Sequence, residues 1–239
     1  DVGSDLAAVK TRAIRDGDEW IVDGQKMFTT GAQNCQYAFL VTRTNPDVAK
    51  HKGITMFLCP LDGVEIQAVH TLGGERTNMV FFDSHRIDDR YRLGEVDKGW
   101  EILMGPLNAE HGMGDGDRPE LEQRGGMYGG ANVEALRVAI EWAHELESDG
   151  GCPADDPSTR RRLARVALDL EAMSCAPGPM GRIISSEYFI RDAADLIDLV
   201  GARGLLERGE HGSVGNGWLE YCHRFAQGTA TYGGTTEVH

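Results

Sequence analysis

Near Gly99 the spacing of apolar residues changes from a period of two to a period of three to four, so the chain is read as two differently built parts. Before it lie short runs rich in β-branched and aromatic residues: Trp20-Ile21-Val22, Gln25 to Phe28, Tyr37 to Thr42, Ile54 to Cys59, Val64 to Val69 and Met79 to Phe82. Asn45-Pro46, Lys52-Gly53 and Asp62-Gly63 separate them, and Asp23-Gly24 reads as a two-residue hairpin turn between the first two. Several short strands punctuated this way predict a small β-barrel or sandwich. After Gly99 three stripes recur at helical spacing: Val133, Leu136, Ile140, Ala143 and Leu146; Leu163, Val166, Ala167, Leu170 and Met173; Ile183, Ile190, Ala193, Ile197 and Val200. With helices expected from Gly99 to about Ala109 and around Trp218 to Gln227, this half reads as an antiparallel helical bundle. The fold class is multidomain α and β, with a β-domain over 1–98 and a helical bundle over 99–239. Loops are expected over Gly112 to Gly126, Asp149 to Pro157 and Pro177-Gly178-Pro179.

At 239 residues the chain is long enough for two modest cores. A net charge of −14 argues against nucleic acid and against an anionic membrane, since each would meet a like-charged surface. Arg160-Arg161-Arg162 is then a solvated helix face. Cys35, Cys59, Cys152, Cys175 and Cys222 are scattered, odd in number and never paired as C-x-x-C, which suits a reducing cytoplasm and no metal site. The histidines His51, His70, His85 and His144 show no ligand spacing. No apolar run approaches the ~20 residues of a membrane helix.

Four segments carry more specific information: Asp23-Gly24-Gln25-Lys26-Met27-Phe28-Thr29-Thr30-Gly31, Leu72-Gly73-Gly74-Glu75-Arg76-Thr77-Asn78, Leu107-Asn108-Ala109-Glu110-His111-Gly112 and Thr231-Tyr232-Gly233-Gly234-Thr235-Thr236-Glu237-Val238. Taken in this order over almost the whole chain, they resemble the acyl-CoA dehydrogenase family. The resemblance implies the family's middle β-domain and C-terminal helical domain, FAD as cofactor and an acyl-CoA as substrate. It also implies an N-terminal helical domain before Gly3-Ser4-Asp5 and a short helical tail after the terminal motif, so the sequence is expected to be a fragment.

A flavin needs a hydrogen-bond donor near N5, an apolar or aromatic wall, and backbone amides for its pyrophosphate. By resemblance Thr30 supplies the hydroxyl, with Thr29 beside it, and Phe28 stands where most members place tryptophan against the ring. Ser4, after Gly3, resembles the end of a loop that approaches flavin and substrate. Read in isolation, Phe28 is a core residue and Thr29 and Thr30 ordinary strand residues; their place after the Gly17-Asp18-Glu19-Trp20 hairpin favours the flavin role. Asp198 and Gly201, within Asp198-Leu199-Val200-Gly201, resemble a segment that reaches FAD across a subunit interface, with Asp in place of the usual Gln. Thr235 and Glu237 match the stretch that meets the ribityl and adenosine portion.

Desaturating a thioester requires a partly desolvated carboxylate to remove the proton on Cα while hydride leaves Cβ. Many members place this glutamate directly after the tyrosine of the terminal motif, where this chain has Gly233. A minority branch, which includes bacterial steroid side-chain enzymes, carries it in a Leu-x-x-Glu-Arg motif on the first bundle helix, and Leu107-Asn108-Ala109-Glu110 fits that pattern, with His111 for the arginine. Glu110 is therefore the expected base, and the Gly233 amide is expected to be half of the oxyanion hole. A shifted alignment offers Glu122 instead, and the bland alternative for Glu110 is a solvated helix end. Asn108 and His111 correspond to positions that contact the pantetheine arm.

The Arg-x-x-Phe-Gly motif, whose arginine reaches a neighbouring subunit's FAD, is replaced here by Glu147-Ser148-Asp149-Gly150-Gly151-Cys152-Pro153. A homo- or heterotetramer with a related dehydrogenase subunit is implied, the heteromer accounting for both departures at once; Arg160, Arg161 or Arg162 substituting within a homo-oligomer is the alternative. Electrons are expected to pass to an electron-transfer flavoprotein. The rivals are an acyl-CoA oxidase and a non-catalytic subunit that completes a partner's FAD site.

Overall fold

The computed structural model describes residues 2–110, 128–146, 150–176 and 178–238, with the side chains of 108–110 excepted. The described residues fall into two units: those up to Thr71 together with Glu75–Glu110, and Leu72–Gly74 together with those beyond His111.

The first unit is built on one seven-stranded sheet. Its strands are β1 (Arg12–Asp16), β2 (Glu19–Lys26), β3 (Tyr37–Arg43), β4 (Ile54–Pro60), β5 (Glu65–His70), β6 (Arg76–Asp88) and β7 (Arg92–Leu93). They lie in the order β5-β6-β2-β1-β3-β4-β7. Every neighbouring pair is antiparallel except β1 and β3. The first hairpin turns at Gly17-Asp18, between the paired Asp16 and Glu19, with Gly17 left-handed at φ 66°. The turn expected at Asp23-Gly24 is instead a register shift inside a continuous β2. Val22 faces His85 and Gly24 faces Phe82, so β6 bulges between them. Ser84 takes a positive φ in that bulge, and its amide donates to the Asp23 carboxylate at 2.9 Å. Gly24, at φ 136°, has no room for a side chain, because a Cβ there would lie 2.8 Å from the Cα of Thr11. The Asp-Gly pair is thus required for a bulge and a close strand approach rather than for a turn.

Trp20, Val22, Leu40, Phe57, Cys59, Val80, Phe82 and Ile87 are buried together, with Trp20 edge-on to Phe57 at 5.4 Å. Ile54 and Met56, alternating with Phe57 and Cys59 on β4, pack instead with Val9, Val41 and Leu103. Leu103 belongs to helix α1 (Gly99–Glu110), so β4 is covered on both faces and reads as a continuous apolar run. Gly99 lets that helix start against the strand: a Cβ there would stand 2.9 Å from the Ile54 carbonyl oxygen and the Met56 nitrogen. Helix α1 therefore packs with the sheet, and this unit runs through Glu110 rather than ending at residue 98.

The second unit holds α2 (Gly129–Ala143), α3 (Pro157–Ser174), α4 (Gly178–Val200) and α5 (Trp218–Thr229). Asp156 caps α3, accepting from the amides of Ser158 (3.1 Å) and Thr159 (3.3 Å) ahead of Pro157 at the first helical position. Gly178 and Pro179, expected in a loop, open α4, since proline is well suited to a helix's first turn. Leu163, Val166, Leu170 and Met173 are buried as the second stripe requires, and Ala193, Ile197 and Val200 as the third does. Of the α2 stripe Leu136 and Ala143 are buried, joined by Ala135, Val138 and Ala139, whereas Ile140 and Leu146 are exposed. None of the described helices is long and apolar enough to cross a membrane.

Candidate active site

Where β2 ends, Met27, Phe28 and Thr30 remain exposed, and Phe28 is held at a positive φ of 59° that side chains rarely adopt. Phe28 is 65 % exposed, which excludes the core role. With Gly3, Lys26, Thr29, Phe39 and Val41 it lines an open groove of about 440 Å³. Phe39 on the opposite lip is 58 % exposed. A flat ring with apolar faces suits such a groove, where large apolar side chains border solvent and a threonine hydroxyl stands nearby. Lys26 donates from Nζ to the Val41 carbonyl at 2.7 Å, and burial lowers its pKa to about 8. Ser4 is exposed next to Gly3.

The second of the four motifs braces the first. The Thr29 amide donates to the Asn78 carbonyl at 3.0 Å, and Asn78 Nδ2 returns bonds to the Thr29 carbonyl at 3.0 Å and Gln33 Oε1 at 2.6 Å. Arg76 donates to Asn78 Oδ1, and Thr30 Oγ1 bonds Thr77 Oγ1 at 3.2 Å. Asn78 is fully buried, so this network is shielded from water and fixes the Phe28–Thr30 backbone.

Asn108 and Glu110 lie in the last turn of α1, a helix anchored by Leu103 and Leu107 against the sheet. The side chains of Asn108 and Glu110, and His111, Glu122 and residues 147–149 entirely, lie outside the described residues.

In the second unit the terminal motif follows α5 as a turn. Gly233 (φ 62°) and Gly234 (φ 103°) are both left-handed, a backbone that favours glycine. Arg182 of α4 is buried at 2 % exposure beneath this turn. Its Nη2 donates to the carbonyls of Thr229 (2.6 Å), Tyr232 and Gly234 (3.3 Å), Nη1 donates to Ser186 Oγ, and its guanidinium lies over the Tyr128 ring at 5.4 Å. Thr235 is half-buried. The Glu237 carboxylate is exposed and held below its ordinary range by its own backbone N–H and by the Thr235 and Thr236 hydroxyls.

At the end of α4, Asp198 pairs with Arg162 at 2.8 Å, and Gly201 turns the chain at φ 70°. Arg162 also pairs with Asp195 at 2.7 Å, and Arg160 donates to the carbonyls of Ala154 and Asp155, so both arginines have partners within this chain. Asp192, buried one turn before Asp195, has its pKa pushed up to about 6, by burial first and then by Asp169. It is bonded to Asn132 and paired with Arg165 and Arg191, a structural network within the bundle.

Sequence reasoning passed over Asn78 and Arg182. Asn78 belonged to a recognised motif without a role, and a lone arginine on a helix gives no sign that it is buried.

Comparison with known proteins shows what the chain is similar to. Residues 1–84 match the family described as acyl-CoA dehydrogenase, middle domain. Acyl-CoA dehydrogenase IpdE1 of Mycolicibacterium smegmatis is 31% identical over 263 residues, covering 99% of this chain and 62% of that protein. The crystal structure of the ChsE4-ChsE5 complex from Mycobacterium tuberculosis superposes with a TM-score of 0.85 at 28% identity, over 99% of this chain and 63% of that one. The Tcur3481-Tcur3483 steroid ACAD gives 0.85 at 29% identity, over 99% and 62%. The chain thus spans about 62% of the length of the curated relatives that it matches end to end. Residues 1–84 thus carry an acyl-CoA dehydrogenase middle domain, and over nearly its whole length the chain is similar to acyl-CoA dehydrogenases.

Proposed function

We propose that the protein of which this chain is part catalyses FAD-dependent α,β-dehydrogenation of an acyl-CoA thioester to the 2,3-enoyl-CoA. The observation that carries the reading is the groove beside Phe28, where an exposed aromatic side chain at a strained backbone angle is held by the buried Asn78 network. Strain of this kind is retained where a site needs it. Phe28 and Phe39 would flank the isoalloxazine, Thr29 and Thr30 would meet its edge, and Ser4, Thr235 and Glu237 would hold the remainder, with Asp198 and Gly201 facing a neighbouring subunit's cofactor. Bound FAD would supply the acceptor for the hydride leaving Cβ.

Glu110 takes the Cα proton in this proposal. The enolate-like charge that develops on the thioester oxygen is met by the Gly233 amide, and Asn108 and His111 hold the pantetheine arm. The proton passes to the carboxylate, the hydride leaves with its electron pair, and the Cα–Cβ double bond forms, so the step balances without water. A large or branched acyl group such as a steroid side chain fits the missing bulk at Gly233 and the description of the Tcur3481-Tcur3483 relative. The two-protein complexes among the structural neighbours support a heteromer with a related subunit. An electron-transfer flavoprotein would reoxidise the cofactor. The five cysteines are all free, which agrees with a cytoplasmic setting.

Gly233 in the usual place of the base also favours a second reading, a subunit that completes a partner's FAD site without performing chemistry. Glu110→Gln in the full-length assembly separates the two: loss of flavin bleaching by thioester with flavin still bound supports Glu110 as the base, and undiminished bleaching refutes it.

A further inference from the structure

A protonated guanidinium with almost no exposure is costly unless it is hydrogen-bonded; Nη2 of Arg182 directs its bonds to the backbone of the terminal turn and Nη1 donates to Ser186 Oγ, while the buried Nε has no partner among the described residues. Three of its acceptors are the carbonyls of Thr229, Tyr232 and Gly234, which surround the Tyr232–Gly233 peptide. The Thr229 carbonyl is further fixed by Ser186 Oγ at 3.2 Å and Tyr128 Oη at 3.4 Å. The Tyr232 carbonyl belongs to the same planar peptide group as the Gly233 N–H. In a trans peptide these two dipoles point in opposite directions, so fixing one aims the other. Gly233 and Gly234 have no side chains with which to set that direction, and the Nη2 bonds to the flanking carbonyls contribute to setting it. A cation bonded to the carbonyl also draws electron density from the amide, which strengthens the N–H as a donor.

We propose that Arg182 is a positioning residue for the oxyanion hole: by bonding the Tyr232 carbonyl it aims and polarises the Gly233 amide toward the thioester oxygen of the substrate. The inference rests on the proposed role of Gly233 and adds the residue that makes that amide effective. Arg182 touches neither substrate nor cofactor. It acts through one peptide group, a second layer of the site that lies wholly within the helical unit.

The test compares the native full-length assembly with Arg182→Lys, which keeps the charge and loses the planar guanidinium whose Nη1 bond to Ser186 Oγ holds Nη2 toward the three carbonyls. The readouts are flavin content, kcat and KM for a thioester that bleaches the wild-type flavin, and the infrared stretch of a ¹³C-labelled thioester carbonyl in bound enoyl-CoA. The expected result is flavin content near that of wild type, kcat lower by about 10- to 100-fold with KM changed less than about threefold, and a carbonyl stretch moved toward its frequency in water. An unchanged stretch overturns the proposal, including the case in which kcat falls together with flavin content, since a purely structural arginine would move those two and leave the carbonyl where it was. If Arg182→Lys yields no flavin-loaded assembly, Ser186→Ala decides: it frees the Nη1 end of the guanidinium and is expected to move the stretch in the same direction by less, and no movement overturns the inference. A wild-type assembly whose flavin no thioester bleaches refutes the dehydrogenase reading itself, a result distinct from wild-type bleaching with an unmoved carbonyl in the variants.

Discussion

Asn78→Ala removes the side chain that ties the segment around Thr29 to β6, and its cost follows from the bonds involved. Two Nδ2 donors are lost, to the Thr29 carbonyl at 3.0 Å and to Gln33 Oε1 at 2.6 Å, each worth about 1 kcal/mol net. The bonds from Arg76 to Oδ1 are long, at 3.3 Å, and contribute a few tenths at most by comparison, roughly 0.3 kcal/mol. The Thr29 amide keeps its acceptor, because that is the backbone carbonyl of residue 78. Leaving a buried acceptor unmet adds to the loss, and water reaching the half-buried Thr29 returns part of it, so the sum is about 2–3 kcal/mol. Local opening of the Phe28–Thr30 segment should then be favoured by roughly 30- to 150-fold. Hydrogen exchange of peptides that span residues 27–31, measured on the full-length assembly, should accelerate by that factor, and flavin content should fall. Gln67→Ala, on the exposed face of β5, is the control and should change neither. Unaltered exchange with full flavin occupancy in Asn78→Ala would refute the view that this network holds the loop.

Three further outcomes are expected. Glu110→Gln should abolish turnover in the anaerobic bleaching assay and leave flavin bound, since the substitution removes the proton acceptor and keeps the shape. Gly24→Ala should destabilise the sheet unit by about 2 kcal/mol or more in urea unfolding, because a Cβ meets the Thr11 backbone at 2.8 Å, whereas Gly17→Ala, with open space around it, should cost about 1 kcal/mol for its positive φ. Lys26 titrates at about 8 in the fold against 10.5 as a free side chain, so between those values the unfolded chain binds the extra proton and stability rises with pH. Below about pH 8 both states are charged and the burial penalty is felt in full; thermal melting from about pH 7 to about pH 10 should therefore climb more steeply in wild type than in Lys26→Met, and equal slopes would contradict the burial argument.

The two parts of the fold were legible because their apolar periods differ, and Ile54 to Cys59 and Tyr37 to Thr42 read as strands for the reasons the sheet confirms. β1 was not legible. In Arg12–Asp16 a single residue, Ala13, is buried, so the segment carries no alternation. Asp23-Gly24 was misassigned since a turn and a bulge ask for the same left-handed freedom, and which of them forms depends on Thr11 and Ser84, far away in sequence. The place of α1 was hidden because its apolar residues Leu103 and Leu107 look the same whether they face a sheet or a bundle. At the site, Phe28 and Thr30 stood out through the resemblance, and the structure supplies the reason they stay in place. Asn78 and Arg182 escaped notice because their roles are made by tertiary burial: asparagine reads as a turn residue and arginine as surface until the surrounding carbonyls are seen.

The central claim is thioester dehydrogenation, and its most direct test is anaerobic addition of straight-chain, branched and steroid acyl-CoAs to the full-length assembly while the oxidised-flavin absorbance is followed. The account predicts prompt bleaching with one class of thioester and formation of the matching 2,3-enoyl-CoA. A flavin that stays oxidised with every thioester, or an assembly that binds no flavin, would contradict it.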